Sequence, residues 1–403
     1  MKKIFFAVLF LSVTISQAQV KILFDATKAE SSGNGDWVID ADSHNLGFSN
    51  GPAVVGQGNE SNPQRYPTPA QSGVTSSTSE TFWNGSLSSW GIDMVKKGYE
   101  VETLPYNGSI TYGNTSNQQD LSNYKVFVVD EPNIQFTASE KTAILQFVQN
   151  GGGLFMISDH DQSDRNNDGW DSPGIWNDLM TTNSVIANPF GISFDLNNFS
   201  GSYFNIASIP TDSILHGIMG NVTEVMWSSG TSMTLSTTAN STVKGLVYKS
   251  GTSGNSNVLC ARARYGNGKV FAMGDSSPAD DGSGDPNDQL YDGWIADANG
   301  NHERLIVNAT IWLAGSSAVG IDKPKEGDKA IIYPNPASET LHIETPDINT
   351  KTVCNLFSIE GQLLKSFEIQ QHTTIPISDF PKGIYVVRLI NEGSTIVVRF
   401  VKE

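Results

Sequence analysis

Three short stretches gather the side chains that could do chemistry. "GLFMISDHD" closes an apolar run with Ser158, Asp159, His160 and Asp161, "VKILFD" closes one with Asp25, and "KVFAMGD" closes one with Asp275. Carboxylates and an imidazole are the groups from which hydrolases build general acids, bases and cation ligands. If the three runs are parallel strands, their carboxyl ends lie on one side of a sheet, where open α/β sheets bind ligands. Asp25, Asp159, Asp161 and Asp275 could then hold a divalent cation that activates water or grips sugar hydroxyls, with His160 moving the proton. Aspartates at strand ends also cap turns and helices, and that reading stays open.

The next residues, "DRNNDG", place Asp164, Asn166 and Asp168 at alternate positions before Gly169. This is the first half of an EF-hand-type calcium loop, in which alternate oxygens converge on a hard cation and the glycine permits a sharp turn. Ile175 stands where the bidentate Glu would be, so Asp171 or Asp178 would have to substitute. The competing reading is an Asx-rich loop that caps its own turns. Asp40, Asp42 and His44 alternate in "DADSHN" and would share a face if extended, although a solvated edge is commoner. His302 reads as a plain first-turn helix residue. Ser276 follows Gly274 and Asp275 as in a Gly-Asp-Ser esterase block, but no Asp-x-x-His supplies a base. Trp83, Trp90, Trp170, Trp176, Tyr291 and Trp294 fall near the acidic loops, where rings could stack on sugars. For most of them packing in the core is the stronger reading.

The elements that must position these groups can be followed along the chain. "YKVFVVDEP" reads as a buried strand, and "TASEKTAILQFVQNGGG" as a helix opened by a Thr137/Glu140 capping box and closed at Gly151 to Gly153. Its stripe is Ala143, Ile144, Phe147 and Val148, and the strand "GLFMISDH" follows, so the unit is a right-handed parallel crossover. "SSWGIDMVKKGYEVETLPY" reads as a helix stopped at Gly98 and then a strand. "NVLCARARYGNGKVFAMGD" reads as a hairpin about Gly266-Asn267-Gly268, and "NHERLIVNATIWLAG" as a closing helix. Residues 45–85 show little periodicity and read as a long loop. Residues 20–315 are therefore expected to be an α/β domain with a mostly parallel sheet and flanking helices. A linker, 316–329, precedes alternating strands over 330–403 that read as a small all-β sandwich.

Bulk properties narrow the function. With 42 acidic against 25 basic residues the formal charge is -17, which repels phosphate backbones and argues against a nucleic-acid partner. No nucleotide cofactor is expected; calcium or another divalent cation would suit the acidic loops. "MKKIFFAVLFLSVTISQAQ" has the basic start, short apolar run and small residues of a secretory signal over residues 1–19. No later segment is long and apolar enough to cross a bilayer. Cys260 and Cys354 fall in different domains and read as buried apolar residues, without a disulfide.

Two resemblances emerge. "YPNPASETLHIE", "LFSIEGQLLK", "ISDFPKGIYVVRL" and "VVRFVKE" resemble, in order, the type A C-terminal sorting domain of the type IX secretion system of Bacteroidetes. That resemblance implies export across both membranes, contact with the type IX machinery, and a secreted or surface location. More loosely, "YKVFVVDEPNIQFTASEKTAILQFVQNGGGLFMIS", "YGNGKVFAMGD" and "HERLIVNATIWLAG" resemble the class I glutamine amidotransferase-like superfamily, including ThuA-like domains. That implies a flavodoxin/amidotransferase-like sheet. Its Gly-x-Cys-x-Gly elbow is replaced here by Ser158-Asp159-His160-Asp161, so the resemblance carries fold and not amidotransferase activity.

These readings combine into one expectation. The chain is a secreted hydrolase of extracellular polymer, carbohydrate first among candidates, using Asp159, His160 and Asp161 with Asp25 and Asp275 around a divalent cation. Asp164, Asn166, Asp168 and Asp171 would form a structural calcium clamp. The alternatives are a non-catalytic module binding glycan or protein, and a surface protein whose acids bind calcium.

Overall fold

The structure is a computed structural model describing residues 19–32, 35–40, 46–47, 54–55, 71, 73–83, 85–283, 290–315, 331–344, 352–358, 363–369, 372–391 and 394–403. The chain divides into two compact units, 1–319 and 320–403.

The first unit is built on a parallel-rich sheet. Strands β1 (Lys21–Asp25), β2 (Glu100–Leu104), β3 (Val126–Asp130) and β4 (Gly153–Ile157) are followed by β5 (Lys244–Tyr248), β6 (Val258–Tyr265) and β7 (Gly268–Met273). Their spatial order is β2-β1-β3-β4-β7-β6-β5. The first five of these are mutually parallel, β6 adds antiparallel to β7, and β5 adds antiparallel to β6. Continuous apolar runs such as "VFVVD" and "GLFMI" suit strands covered on both faces. Side chains alternate accordingly. Phe127, Val129, Leu154 and Met156 enter one core with Ile144, Phe147 and Trp176, whereas Val126, Val128, Phe155 and Ile157 enter the other with Trp90 and Leu305.

Four helices supply those covers: α1 (Ser88–Lys96), α2 (Ala138–Gln149), α3 (Ser172–Thr182) and α4 (Asn301–Ala314). The expected capping box of α2 is present, with Thr137 and Glu140 bonding reciprocally. Of the three glycines after α2, Gly151 takes a left-handed turn at φ 108°, while Gly153 is already the first residue of β4. A Cβ on Gly153 would lie 2.7 Å from the Leu313 carbonyl oxygen, so that glycine serves close packing against α4 and not the helix stop. The Gly266-Asn267 turn joins β6 to β7 as expected, pairing Tyr265 with Gly268. Helix α3 and a set of short antiparallel strands between Ile192 and Gly230 were not foreseen.

The second unit consists of two small antiparallel sheets, Ile331–Tyr333, Thr340–Glu344 and His372–Pro376 in one, and Thr352–Ser358, Leu363–Ile369, Gly383–Asn391 and Ser394–Lys402 in the other. Leu341, Ile343 and Ile375 share one core with Cys354, Leu356, Val387, Leu389 and Phe400. Cys260 and Cys354 are both buried free thiols, each within its own unit.

Trp90 joins α1 to the sheet. Its ring contacts Phe24 at 5.1 Å and Phe155 at 4.8 Å between centroids, and its indole N–H donates to Thr310 Oγ1. Trp90→Ala is expected to lower the unfolding free energy of the α/β unit by about 3–5 kcal/mol in urea titration. A loss below about 1 kcal/mol would show that this layer is not packed as described.

Candidate functional site

Parallel registry sets the site. Asp130 at the end of β3 pairs with Ile157 at the end of β4, and Ile157 pairs with Met273 at the end of β7. The residues that follow each strand therefore emerge side by side: Glu131 after β3, Ser158 and Asp159 after β4, Gly274 and Asp275 after β7. All the acids among them are buried.

Glu131 is the hub. It adopts a left-handed φ of 42°, a costly conformation for a residue with a Cβ, and its side chain is fully enclosed. Its carboxylate accepts the Trp37 indole N–H at 2.8 Å, the Ser276 hydroxyl at 2.9 Å and Arg165 Nε–H at 3.0 Å. The same guanidinium donates through Nη2 to Asp159 Oδ2 at 2.9 Å. The shared guanidinium brings the Glu131 and Asp159 carboxyl groups together. Burial, then the charges of Glu131 and Asp275, push the Asp159 pKa well up, with Arg165 opposing.

Asp275 and Asp130 extend the acidic layer. Asp275 accepts the backbone N–H groups of Ser228 and Ser277 at 2.5 and 2.9 Å. Burial outweighs these bonds and pushes its pKa up to about 8. Asp130 is buried, and neither of its oxygens has a hydrogen-bond partner among the described residues. Burial and the neighbouring Glu131, Asp275 and Asp280 push its pKa well above the usual carboxylate range. Asp130, Asp159 and Asp275 are therefore buried carboxyl groups whose pKa values are all raised, gathered beside one guanidinium.

His160 stands at the edge of the layer and is only partly buried. Its Nδ1 lies 2.7 Å from the Asp161 carbonyl oxygen, which can only accept, so Nδ1 carries the hydrogen. That tautomer leaves the Nε2 lone pair 3.5 Å from Asp159 Oδ2. Asp161 contributes its backbone to this arrangement, and its N–H donates to the Asn197 carbonyl.

Asp25 goes elsewhere than expected. It forms a carboxyl–carboxyl pair with Glu30, and burial pushes it up to about 6 while Glu30 is raised further by burial and by Asp25 itself. The Asp25 neighbours are thus Glu30, Thr27 and Lys28, not Asp159 or Asp275. His302 is a satisfied interior histidine: Nδ1 donates to the Gly293 carbonyl and Nε2 accepts the Met226 N–H. Burial lowers its pKa.

The loop expected to clamp calcium turns its oxygens on itself. Asp164 accepts the N–H groups of Asp168 and Gly169, Asn166 donates to Asp168, and Asp168 accepts the Trp170 N–H. Asp171 caps α3 through the Gly174 N–H and also accepts the Gln162 N–H. Asp178 pairs with Lys141. Among the described residues no three His, Cys, Asp or Glu side chains are placed to hold a metal ion. Trp83, Trp90, Trp176 and Trp294 are buried in the cores, and Trp170 is exposed beside the acidic loop. Asp40 is buried, while Asp42 and His44 lie outside the described residues.

Asp130, Glu131, Arg165 and Trp37 are the site residues that sequence reasoning missed. The signal for the first two was present, since "VFVVDEP" ends in acids as the other strand runs do.

Comparison with known proteins identifies the second unit. Residues 331–403 match the family described as the secretion system C-terminal sorting domain. This supports export through the type IX secretion system and a secreted or cell-surface location, with the type IX machinery as partner. No curated protein matches the chain. Among solved structures, the mmIFT52 N-terminal domain is similar at a TM-score of 0.39 and 12% identity, over 56% of this chain and 89% of that one. The cytoplasmic protein STM3548 from Salmonella typhimurium is similar at 0.37 and 15%, over 54% and 82%. A β-galactosidase from Bacillus circulans sp. alkalophilus is similar at 0.32 and 13%, over 78% of this chain and 37% of that one.

Asp130 and Asp275 hold protons more tightly folded than unfolded. The stability they contribute is fully present below about pH 4, and it is lost as pH rises, through about 8 for Asp275. Asp130→Asn removes one such group. Its α/β unit is expected to melt above the parent near neutral pH, with the gap closing as the solution is acidified. A variant that melts below the parent at alkaline pH would show that the carboxylate form is required, as it would be for a cation ligand.

Proposed function

We propose that the α/β unit is the working cargo of the type IX tail and hydrolyses extracellular polymer by acid–base catalysis. Its sheet order β2-β1-β3-β4-β7 is the doubly wound 2-1-3-4-5 arrangement, in which ligands bind beyond the carboxyl ends of the strands. This supports a flavodoxin-like or amidotransferase-like lineage from which the cysteine nucleophile is gone. The observation that carries the reading is the pairing of His160 Nε2 with Asp159 Oδ2 at 3.5 Å, at one of those strand ends. His160 is fixed in the tautomer whose Nε2 can accept a proton from attacking water. Asp159, whose pKa is raised by burial and by the charges of Glu131 and Asp275, is the adjoining acid, and such opposed environments are how one site supplies both functions. Arg165 and Glu131 keep Asp159 in place.

Carbohydrate is the favoured polymer because Trp170 offers an exposed ring beside this loop. The reading uses no metal-bound step, and calcium at Asp164, Asn166, Asp168 and Asp171 would have to displace the backbone donors described above. A second reading, a non-catalytic glycan- or protein-binding module, draws on the deep burial of Asp130, Glu131, Asp159 and Asp275.

The test is a screen of the exported protein against polysaccharide and peptide libraries, with and without EDTA, followed by His160→Ala. Turnover is expected to fall about 10²–10⁴-fold, the usual contribution of a positioned acid–base group, while the melting temperature stays unchanged. Ligand capture without product by parent and variant alike would establish the binding module instead.

A further inference from the structure

The opposite end of the same sheet carries an unexpected concentration of positive charge. Lys125 directly precedes β3, Lys269 lies in the first turn of β7, and Arg264 lies near the end of β6, paired with Lys269 across the hairpin. Lys269 Nζ stands 5.1 Å, and Arg264 Cζ 5.9 Å, from the centre of the Trp312 ring. A Cβ on Gly315 would lie 3.5 Å from Lys269 Nζ and 3.9 Å from Lys125 Cε, so the two lysines flank one point at the end of α4. The three charges feel one another: burial, then Arg264 and Lys125, lower the Lys269 pKa. None of the three forms a salt bridge with a carboxylate among the described residues.

In a chain with a formal charge of -17, acids to neutralise these cations are abundant, yet they are not placed here. Arg262, on the same ring, shows ordinary compensation, with Nε–H bonded to Asp212 at 2.6 Å. Helix capping accounts for part of the cluster. Lys269 donates to the Trp312 carbonyl near the end of α4, and Lys125 to the Gly151 carbonyl after α2, where cations suit the helix dipole. Capping does not account for Arg264, which is exposed and adds like charge to both. A cavity of about 340 Å³ opens here, lined by Lys21, Ser122, Asn123, Tyr124, Lys125 and Gly315, with Lys21 itself paired to Glu100 and Glu102. Its size suits one sugar residue, and its hydroxyl and amide groups suit sugar hydroxyls.

We propose that Lys125, Arg264 and Lys269, with the Trp312 ring and the adjoining cavity, bind a saccharide bearing a sulfate or phosphate ester. The guanidinium and ammonium groups engage the tetrahedral oxyanion, and the cavity takes the ring that carries it.

The test measures binding of the full chain to dextran sulfate, phosphorylated mannan and uncharged dextran at low salt. The charged polymers are expected to bind and dextran is not, and which charged polymer binds tighter identifies the ester. Arg264→Glu should weaken binding at least about tenfold, as loss of a charge-assisted contact does, with the melting temperature unchanged. Arg304→Glu makes the same charge change away from this face and should bind like the parent. Failure of the parent to bind either charged polymer, or equal weakening in Arg304→Glu, overturns the proposal.

Discussion

Arg165 lies between the carboxyl groups of Glu131 and Asp159, and much else at the carboxyl end of the sheet depends on that contact. Parallel registry brings several acids to adjacent strand ends, and burial makes each charged form expensive. A single guanidinium can offset part of that, because its planar fork reaches two carboxyl groups at once. The remainder is met by protons, which is why Asp130, Asp159 and Asp275 all have raised pKa values. Glu131 takes a strained backbone to reach this position, and Trp37 and Ser276 complete its bonding. Such a cluster contributes little to stability by itself, since an apolar replacement of similar shape would avoid the desolvation cost.

The sheet is also polarised end to end. Acids leave the carboxyl ends of β3, β4 and β7, while Lys125 and Lys269 mark the amino ends of β3 and β7. Registry explains this opposition as directly as it explains the acidic cluster. Strands that start in line must end in line, so a charge preference at either end is repeated across the sheet. The middles of β3, β4 and β7 are apolar on both faces, which keeps the two charged layers apart.

How far this was legible in the sequence depended on whether the signal was local. The capping box of α2, the turn at Gly266, the parallel crossover and the antiparallel C-terminal unit follow from near neighbours in the chain, and all are present. Asp159, His160 and Asp275 could be placed at neighbouring strand ends because those ends are visible as the ends of apolar runs. Asp130 and Glu131 carried the same signal, but "DEP" reads equally as a turn. Asp25 was misassigned because its partner, Glu30, is set by the loop after β1 and not by the sheet. Arg165 was hidden inside the spacing of a calcium-type loop, where it counts as filler. Asp171 was read as a ligand, whereas Pro173 two residues later marks it as the cap of a helix. The short strands between 192 and 230 include "FSGSY", which is too polar to show alternation.

Burial of the acidic layer also constrains how it can act. Asp159 is almost wholly enclosed, while His160 beside it is partly open. On the proposed reading a substrate would meet the imidazole first, and the carboxyl groups behind it would act through that ring. The loop is tied down by the Arg165 bonds to Glu131 and Asp159 and by the Asp171 bond to Gln162. Moving it would separate the guanidinium from both carboxyl groups, leaving Glu131 with its Trp37 and Ser276 bonds. On the proposed reading, the position of this loop and the charges behind His160 are set by the same Arg165 contacts.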